Sequence, residues 1–436
     1  MTPNRRLDQS LDRRQLLRLL GLGGLAATAA CAGPGSTGGG SQGDAGPIPD
    51  GPVEGDISFA HWRAEDQQVL ETLIATFAAA HAGVSVSQDI APSNDYQSTA
   101  LQRIRGGSVG DVFTAFRGAQ FVDMVGAGMF SDLSGLPVVD RYAPALIEPG
   151  AADGVQYGLP YQMVFNMPVS NLDVLSAAGV GEAPADWDGF LAMCEAVLAA
   201  GLVPIAWPGG ETGNAGHLFN SMVMNNAPSP DMCTKLESGE YKCTDDWFLK
   251  TLEQYAQLRP YVQPNATGTA VEPAQQLFAT GQAALLATGS FHIAAVRALG
   301  AQFPVGLLSP ITTSAEEAAY EGIHNATFIL GVNTASDVRP AALAFIEFLS
   351  DPVNAAVYAN GTGQHLTVTG VTYDNPDLAA TADWLERKTL LAPRFQFNDL
   401  DIRNAVESSC IQVVGGTDPR QAAEDAQRIV DQRVGG

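Results

Sequence analysis

Positive charge is what this chain has least of. Twenty-three Lys and Arg stand against 47 Asp and Glu, for a formal net charge of −24. So few cations cannot neutralise a phosphate backbone, which excludes nucleic acid as a partner. Adhesion to anionic lipid headgroups by charge alone is excluded on the same ground. Long apolar runs are missing too. Leu19 to Ala30 is only about twelve residues long, whereas a bilayer core needs about twenty. Catalytic signatures are absent: there is no H-E-x-x-H, no phosphate loop ending in G-K-S/T, and no Cys/His cluster at zinc spacing. Gly39-Gly40-Ser41-Gln42-Gly43 spells a serine-hydrolase elbow, but no strand-turn-helix surrounds it. Carboxylates are abundant without forming a recognisable acid/base pair. Nothing here demands an enzyme, a metal or another cofactor.

What is present begins with Arg13-Arg14, the apolar run, and Cys31, followed by a tract rich in Gly and Pro. The first string resembles a twin-arginine export signal, and Thr28-Ala29-Ala30-Cys31 resembles a lipoprotein cleavage box. Residues 1–30 are therefore expected to be a cleaved signal, Cys31 to carry lipid, and residues 31–55 to form a flexible tether. The protein is expected outside the cytosol, anchored to the outer face of the cytoplasmic membrane or periplasmic. In such a compartment Cys233 and Cys243 can oxidise, and closing so short a loop is worth roughly 3 kcal/mol. Two unpaired thiols are the alternative. Cys194 falls in register with Phe190, Leu191, Val197 and Leu198 and reads as a small buried hydrophobe.

From residue 56 the chain alternates strands and amphipathic helices. Ile57 to Trp62 alternates as a strand; Val69, Leu70, Leu73, Ile74 and Phe77 make one helical face; Val84 to Ser87 alternates again. The unit recurs before residues 111–115, 202–206, 283–287 and 327–332, which predicts an α/β fold with largely parallel sheets. About 380 folded residues exceed what one core supports, so two lobes are expected. Ligands of such sheets sit on the loops after the strands. Those loops hold Trp62-Arg63, Phe116-Arg117, Trp207 with Glu211, and Gly289-Ser290-Phe291; further stations are Tyr161-Gln162 at the end of the segment from Tyr157, His324-Asn325 just before the strand at 327, and His365 after Gln364 in a Gly-rich loop. Each pairs a ring with a polar group. Rings cover the apolar face of a sugar, while amides, hydroxyls and guanidinium groups bond its hydroxyls.

In shared order, several pieces resemble the extracellular solute-binding proteins of carbohydrate-uptake ABC transporters, the maltose-binding-protein-like group. The most specific runs from Gln276 to Ala284 and on through Gly289-Ser290-Phe291, similar to the family's "F-x-x-G-x-A-A-M…G-x-W". Supporting pieces are Gly110-Asp111-Val112, Tyr157-Gly158-Leu159-Pro160-Tyr161, Pro184 to Phe190, and Gly415 to Ala423. Where many members read "Y-N-K-D-L-F", this chain has Phe165 to Leu172. The resemblance implies a two-lobe periplasmic-binding-protein-like fold of type II. Lobe one would be 56–164 plus 328–366, and lobe two 165–327 plus 367–436. It also implies a monomer, hinge closure on a sugar or oligosaccharide, Phe291 in place of a stacking Trp, and ABC permease subunits as partners. Two other readings remain open: a lipid-anchored surface glycoside hydrolase with Glu211 as half of its carboxylate pair, and a glycerol phosphate or phosphodiester cargo held by Arg63 and Arg117.

Overall fold

The computed structural model describes residues 47–435, apart from Ser108 and the side chains of Asn94 and Ala145. The signal at 1–30 and the lipidation site Cys31 lie outside the described residues. In chain order the strands are β1 Gly55–His61, β2 Val84–Ile90, β3 Val112–Ala115, β4 Ala151–Ala152, β5 Val155–Gln156, β6 Leu159–Phe165 and β7 Val169–Asn171. They continue with β8 Val203–Ala206, β9 Ala283–Leu286, β10 Val305–Leu307, β11 Gly322–Val332, β12 His365–Leu366 and β13 Thr389–Leu391.

Two sheets organise two hydrophobic cores. The larger runs β12-β6-β11-β3-β1-β2, with β13 beside β11; the smaller runs β10-β7-β9-β8. β1 pairs in parallel with β2 and β3, as strand–helix–strand connections require, whereas β11 enters antiparallel to β3 and β6. Helix Gln67–Ala80 buries Leu70, Leu73 and Phe77, which join Phe59, Phe113, Ile329 and Phe345 in the first core. Helix Trp187–Ala199 starts where the Asp186 carboxylate accepts the Gly189 N–H, and it delivers Phe190, Met193, Cys194 and Val197 to the second core.

The chain passes between the cores three times. Along β6, Leu159 and Tyr161 belong to the first core, Met163 and Phe165 to the second. Along β11, Ile323 belongs to the second and Phe328 to the first. The last passage is later than the expected boundary after residue 366. Val368 and Leu378 still pack in the first core, and Trp384 is the next large apolar residue in the second. Helix Pro376–Thr381 thus lies between the lobes: Leu378 packs in the first core, while the helix also meets β10 and its Asp377 pairs with Arg297 at 2.6 Å.

Two further expectations are corrected. Residues 47–55 are not part of a flexible tether: Ile48 and Val53 pack on the first core, and Pro47 bridges to Asp132. These apolar residues gain more by burial than the short segment loses in freedom. Cys233 and Cys243 are unpaired thiols. Cys233 sits on the buried face of helix Met232–Glu237, and Cys243 is held by its N–H to Gln427 Oε1 (2.6 Å). Burial raises both thiol pKa values, so both serve as small hydrophobes. Cys194 is likewise buried and free.

Candidate functional site

The carboxyl ends of β1 and β3 deliver an aromatic platform. Trp62 lies flat on Phe116, with centroids 3.7 Å apart and planes 17° from parallel. Phe328 of β11 stands edge-on to the indole at 5.0 Å, and Tyr96 packs at 5.4 Å. Phe328 has φ +54°, a left-handed conformation that bulky residues avoid. The register is unbroken around it, with Thr327 opposite Gln162 and Ile329 opposite Pro160. The Phe328 ring meets Phe59 and His61 of β1 as well as Trp62.

Behind the platform Arg63 is locked. Its Nε and Nη2 donate to Asp66 at 2.8 and 2.9 Å, and its Nη1 reaches Glu65 at 2.9 Å. Burial opposes its charge, but the two carboxylates outweigh burial and hold its pKa above the usual value. Asp66 also accepts from Gln162 Nε2 and the Tyr358 hydroxyl, so a buried network fixes the loop after β1. Arg117 pairs with the largely exposed Glu148 at 3.2 Å.

Where β6 and β11 cross between the lobes, polar groups are buried without protein partners. Asn325 is fully buried, and both atoms of its amide are unbonded. Thr327 Oγ1, Gln364 Oε1 and Asn166 Oδ1 are also unbonded. Asn325 and Thr327, two apart on β11, face the same side as Gln162. Buried polar atoms normally have partners, so these atoms are left open to a water or another bonding group.

The opposing wall belongs to lobe two. Phe291 packs against the rings of His217 (5.2 Å) and His292 (4.5 Å). His217 Nε2 meets Arg394 Nη1 at 3.1 Å. Burial, helped by the Arg63 charge on the facing lobe, lowers the His292 pKa to about 3. The walls also meet directly. A Cβ on Gly118 (φ +86°) would lie 3.2 Å from the carbonyl oxygens of both Phe395 and Phe397. Beside this contact a groove of about 490 Å³ opens between Arg117 and Phe121 on one side and Thr234, Phe395 and Gln396 on the other.

The structure puts Trp62 and Phe116 in one stack on lobe one, with Arg63 and Gln162 joined through Asp66 beside it, while Asn325 lies on the crossing strand and Phe291 on the other lobe. Burial, with the Arg117 charge, lowers the His324 pKa to about 4. Other expected residues do something else. Trp207 is fully buried in the second core and donates its indole N–H to Ala215 O (3.1 Å). The reason is local: the strand end turns inward, with Gly209 packed on the indole face. Tyr161 is buried in the first core, with its hydroxyl bonded to Leu349 O. Glu211 has one oxygen on Val271 N–H and the other on Asn214 Nδ2, so it latches the loop before helix Thr212–Val223. Ser290 accepts the Phe165 N–H (3.0 Å), and Gly289 leaves room for the Phe291 ring. His365 is buried and paired with Thr381. Sequence reading missed Phe328, His217, His292 and Arg394. His292 was within reach as the neighbour of Phe291, and Phe328 as the ring of the crossing strand. Arg394, in the turn Pro393–Phe395, carried no signal.

A model of bacterial extracellular solute-binding proteins matches residues 72–386. No curated protein matches the chain in sequence. Among solved structures, the solute-binding protein RafE in complex with raffinose is 17% identical, with a TM-score of 0.76 over 87% of this chain and 100% of that one. A chitin oligosaccharide binding protein is 20% identical, with a TM-score of 0.76 over 88% and 100%. The GacH receptor of Streptomyces glaucescens is 17% identical, with a TM-score of 0.70 over 88% and 99%. The two-lobe fold is shared with all three.

Proposed function

The chain belongs to the bacterial extracellular solute-binding proteins, an exported family, and from that premise we propose that it captures a sugar or oligosaccharide between its lobes for an ABC importer. The observation that carries this reading is the pairing of a Trp62–Phe116 platform on one lobe with Phe291 on the other, across a seam of unbonded amides and hydroxyls. Stacking rings take the C–H faces of a pyranose, and Asn325, Thr327 and Gln364 take its hydroxyls. The neighbours in complex with raffinose and with acarbose support the same class of ligand. The protein acts by binding and not by turnover; both Glu211 oxygens are engaged in loop bonds, which speaks against their use as a hydrolase carboxylate. Lipid on Cys31 holds it at the membrane, where closure of the lobes presents one surface to the permease.

Calorimetric titration with a panel of neutral mono- and oligosaccharides is expected to find stoichiometric binding without release of reducing ends. Tryptophan emission should shift on binding, and the shift should vanish in Trp62→Phe but persist in Trp207→Phe. Indifference to every sugar, or hydrolysis of one, would overturn the reading.

A further inference from the structure

The arginines in and beside the cleft are not equally neutralised. Arg63 faces two carboxylates, Asp66 and Glu65, and Arg117 has Glu148. On the second lobe, Arg394 and Arg403 share the single carboxylate of Glu407, at 3.4 and 4.0 Å. All three are at least nine-tenths buried. Arg394 donates to Gly213 O and meets His217 through Nη1, while Glu407 Oε1 is also taken by Asn220 Nδ2 (2.9 Å). Arg394 Nε, Arg403 Nε and Glu407 Oε2 remain without a hydrogen bond. Burial and the Arg394 charge push the Arg403 pKa down to about 10 against the pull of Glu407, as expected of a cation short of counter-charge. The cluster adjoins the site, because His217 touches both Arg394 and Phe291.

A buried net positive charge with unused guanidinium donors is costly unless an anion completes it. We propose that Arg394 and Arg403 form an anion subsite, and that the ligand is an acidic saccharide whose carboxylate or phosphate seats there while its rings lie on Trp62 and Phe291. The proposal rests on the sugar-binding reading and narrows it. It also moves anion recognition from Arg63 and Arg117, which are already paired, to the opposite lobe. Planar guanidinium forks suit either anion, since both present paired oxygens.

The test compares neutral oligosaccharides with counterparts ending in a uronic acid, and with the corresponding sugar phosphates, by calorimetry at fixed ionic strength. An acidic ligand is expected to bind about tenfold more tightly or better than its neutral counterpart, the worth of one charge-assisted bond. The carboxylate and phosphate arms tell the two sources apart. Arg403→Gln should erase the preference while keeping neutral binding, and Glu407→Gln should enlarge it; the opposite signs separate the subsite from a folding defect. Neutral ligands binding as well as acidic ones in the wild-type protein would overturn the subsite and leave the sugar-binding reading intact. Binding of neither kind would overturn both.

Discussion

At the scale of the residue, the most informative group is Asn325. Its amide is wholly enclosed and bonds to nothing in the protein. An unmade bond of this kind costs about 1–3 kcal/mol of desolvation, so the residue weakens the ligand-free fold. Replacing it should separate stability from function. Asn325→Ala is expected to leave the unfolding free energy unchanged or raise it by about 1 kcal/mol. The same change should cost about tenfold in affinity, because the ligand loses a buried partner. Chemical denaturation and titration of the same preparation check both halves. A destabilised variant with unaltered affinity would make Asn325 a packing residue instead. Phe328 shows the same logic in the backbone, since its left-handed φ is uphill and persists because its ring closes the edge of Trp62.

At the scale of the element, the strand ends carry neutral histidines. His61 ends β1, His324 lies in β11 and His365 opens β12; burial lowers each of their pKa values to about 4. In the unfolded chain imidazoles take up protons near pH 6.5. Between these values the unfolded state holds more protons than the native one, so stability is full above about pH 6.5 and falls as pH drops towards 4. Each such imidazole contributes a slope of up to about 1.4 kcal/mol per pH unit in that window. Melting temperatures followed from pH 7.5 to 4.5 should decline, and His365→Gln should flatten the decline; an unchanged slope would place the acid sensitivity elsewhere. It is also at this scale that the sequence was legible and then ceased to be. The alternation of Ile57 to Trp62 and the 3.6-residue stripe of Leu70, Leu73 and Phe77 named their elements because one face of each is apolar. Trp62, Phe116 and Phe291 were correctly set on loops after strands. Trp207 satisfied the same pattern yet turned inward, because a ring at a strand end has two apolar sides to choose from, and Tyr161 lies within β6 on its inward face. That choice is made by the partner element: Gly209 and Tyr255 for Trp207, and Tyr358 for Tyr161. Cys233 and Cys243 show the same limit, since proximity in sequence did not decide which way each thiol faces. Nor could local pattern find the third passage near Thr381, where Leu378 of a short helix still packs in the first core.

At the scale of the whole molecule, the question is what decides between apart and together for the lobes. Gly118 bears on it directly. It caps the loop from β3 at φ +86°, and in the contact between lobes its Cα faces the carbonyl oxygens of Phe395 and Phe397. An alanine there carries two penalties of different kinds. The positive φ costs about 1 kcal/mol in any arrangement of the lobes. The Cβ, 3.2 Å from two backbone oxygens, is resisted only while the lobes touch. Since those oxygens are backbone, neither can swing aside as a long side chain would. Gly154, on the same lobe at φ +80°, isolates the first penalty, because a Cβ there meets no atom within 4 Å. Gly154→Ala should lower the melting temperature slightly and leave affinity alone. Gly118→Ala should lower it by a similar amount, weaken binding several-fold, and raise the radius of gyration of the ligand-bound protein in solution scattering. A ligand can shift a two-state equilibrium only by its differential affinity for the two states, so a penalty confined to the closed state appears in full as lost affinity. Equal affinities for the two variants would mean that the Gly118 contact is not part of the bound state, and closure would have to be sought at the Arg297–Asp377 side of the molecule.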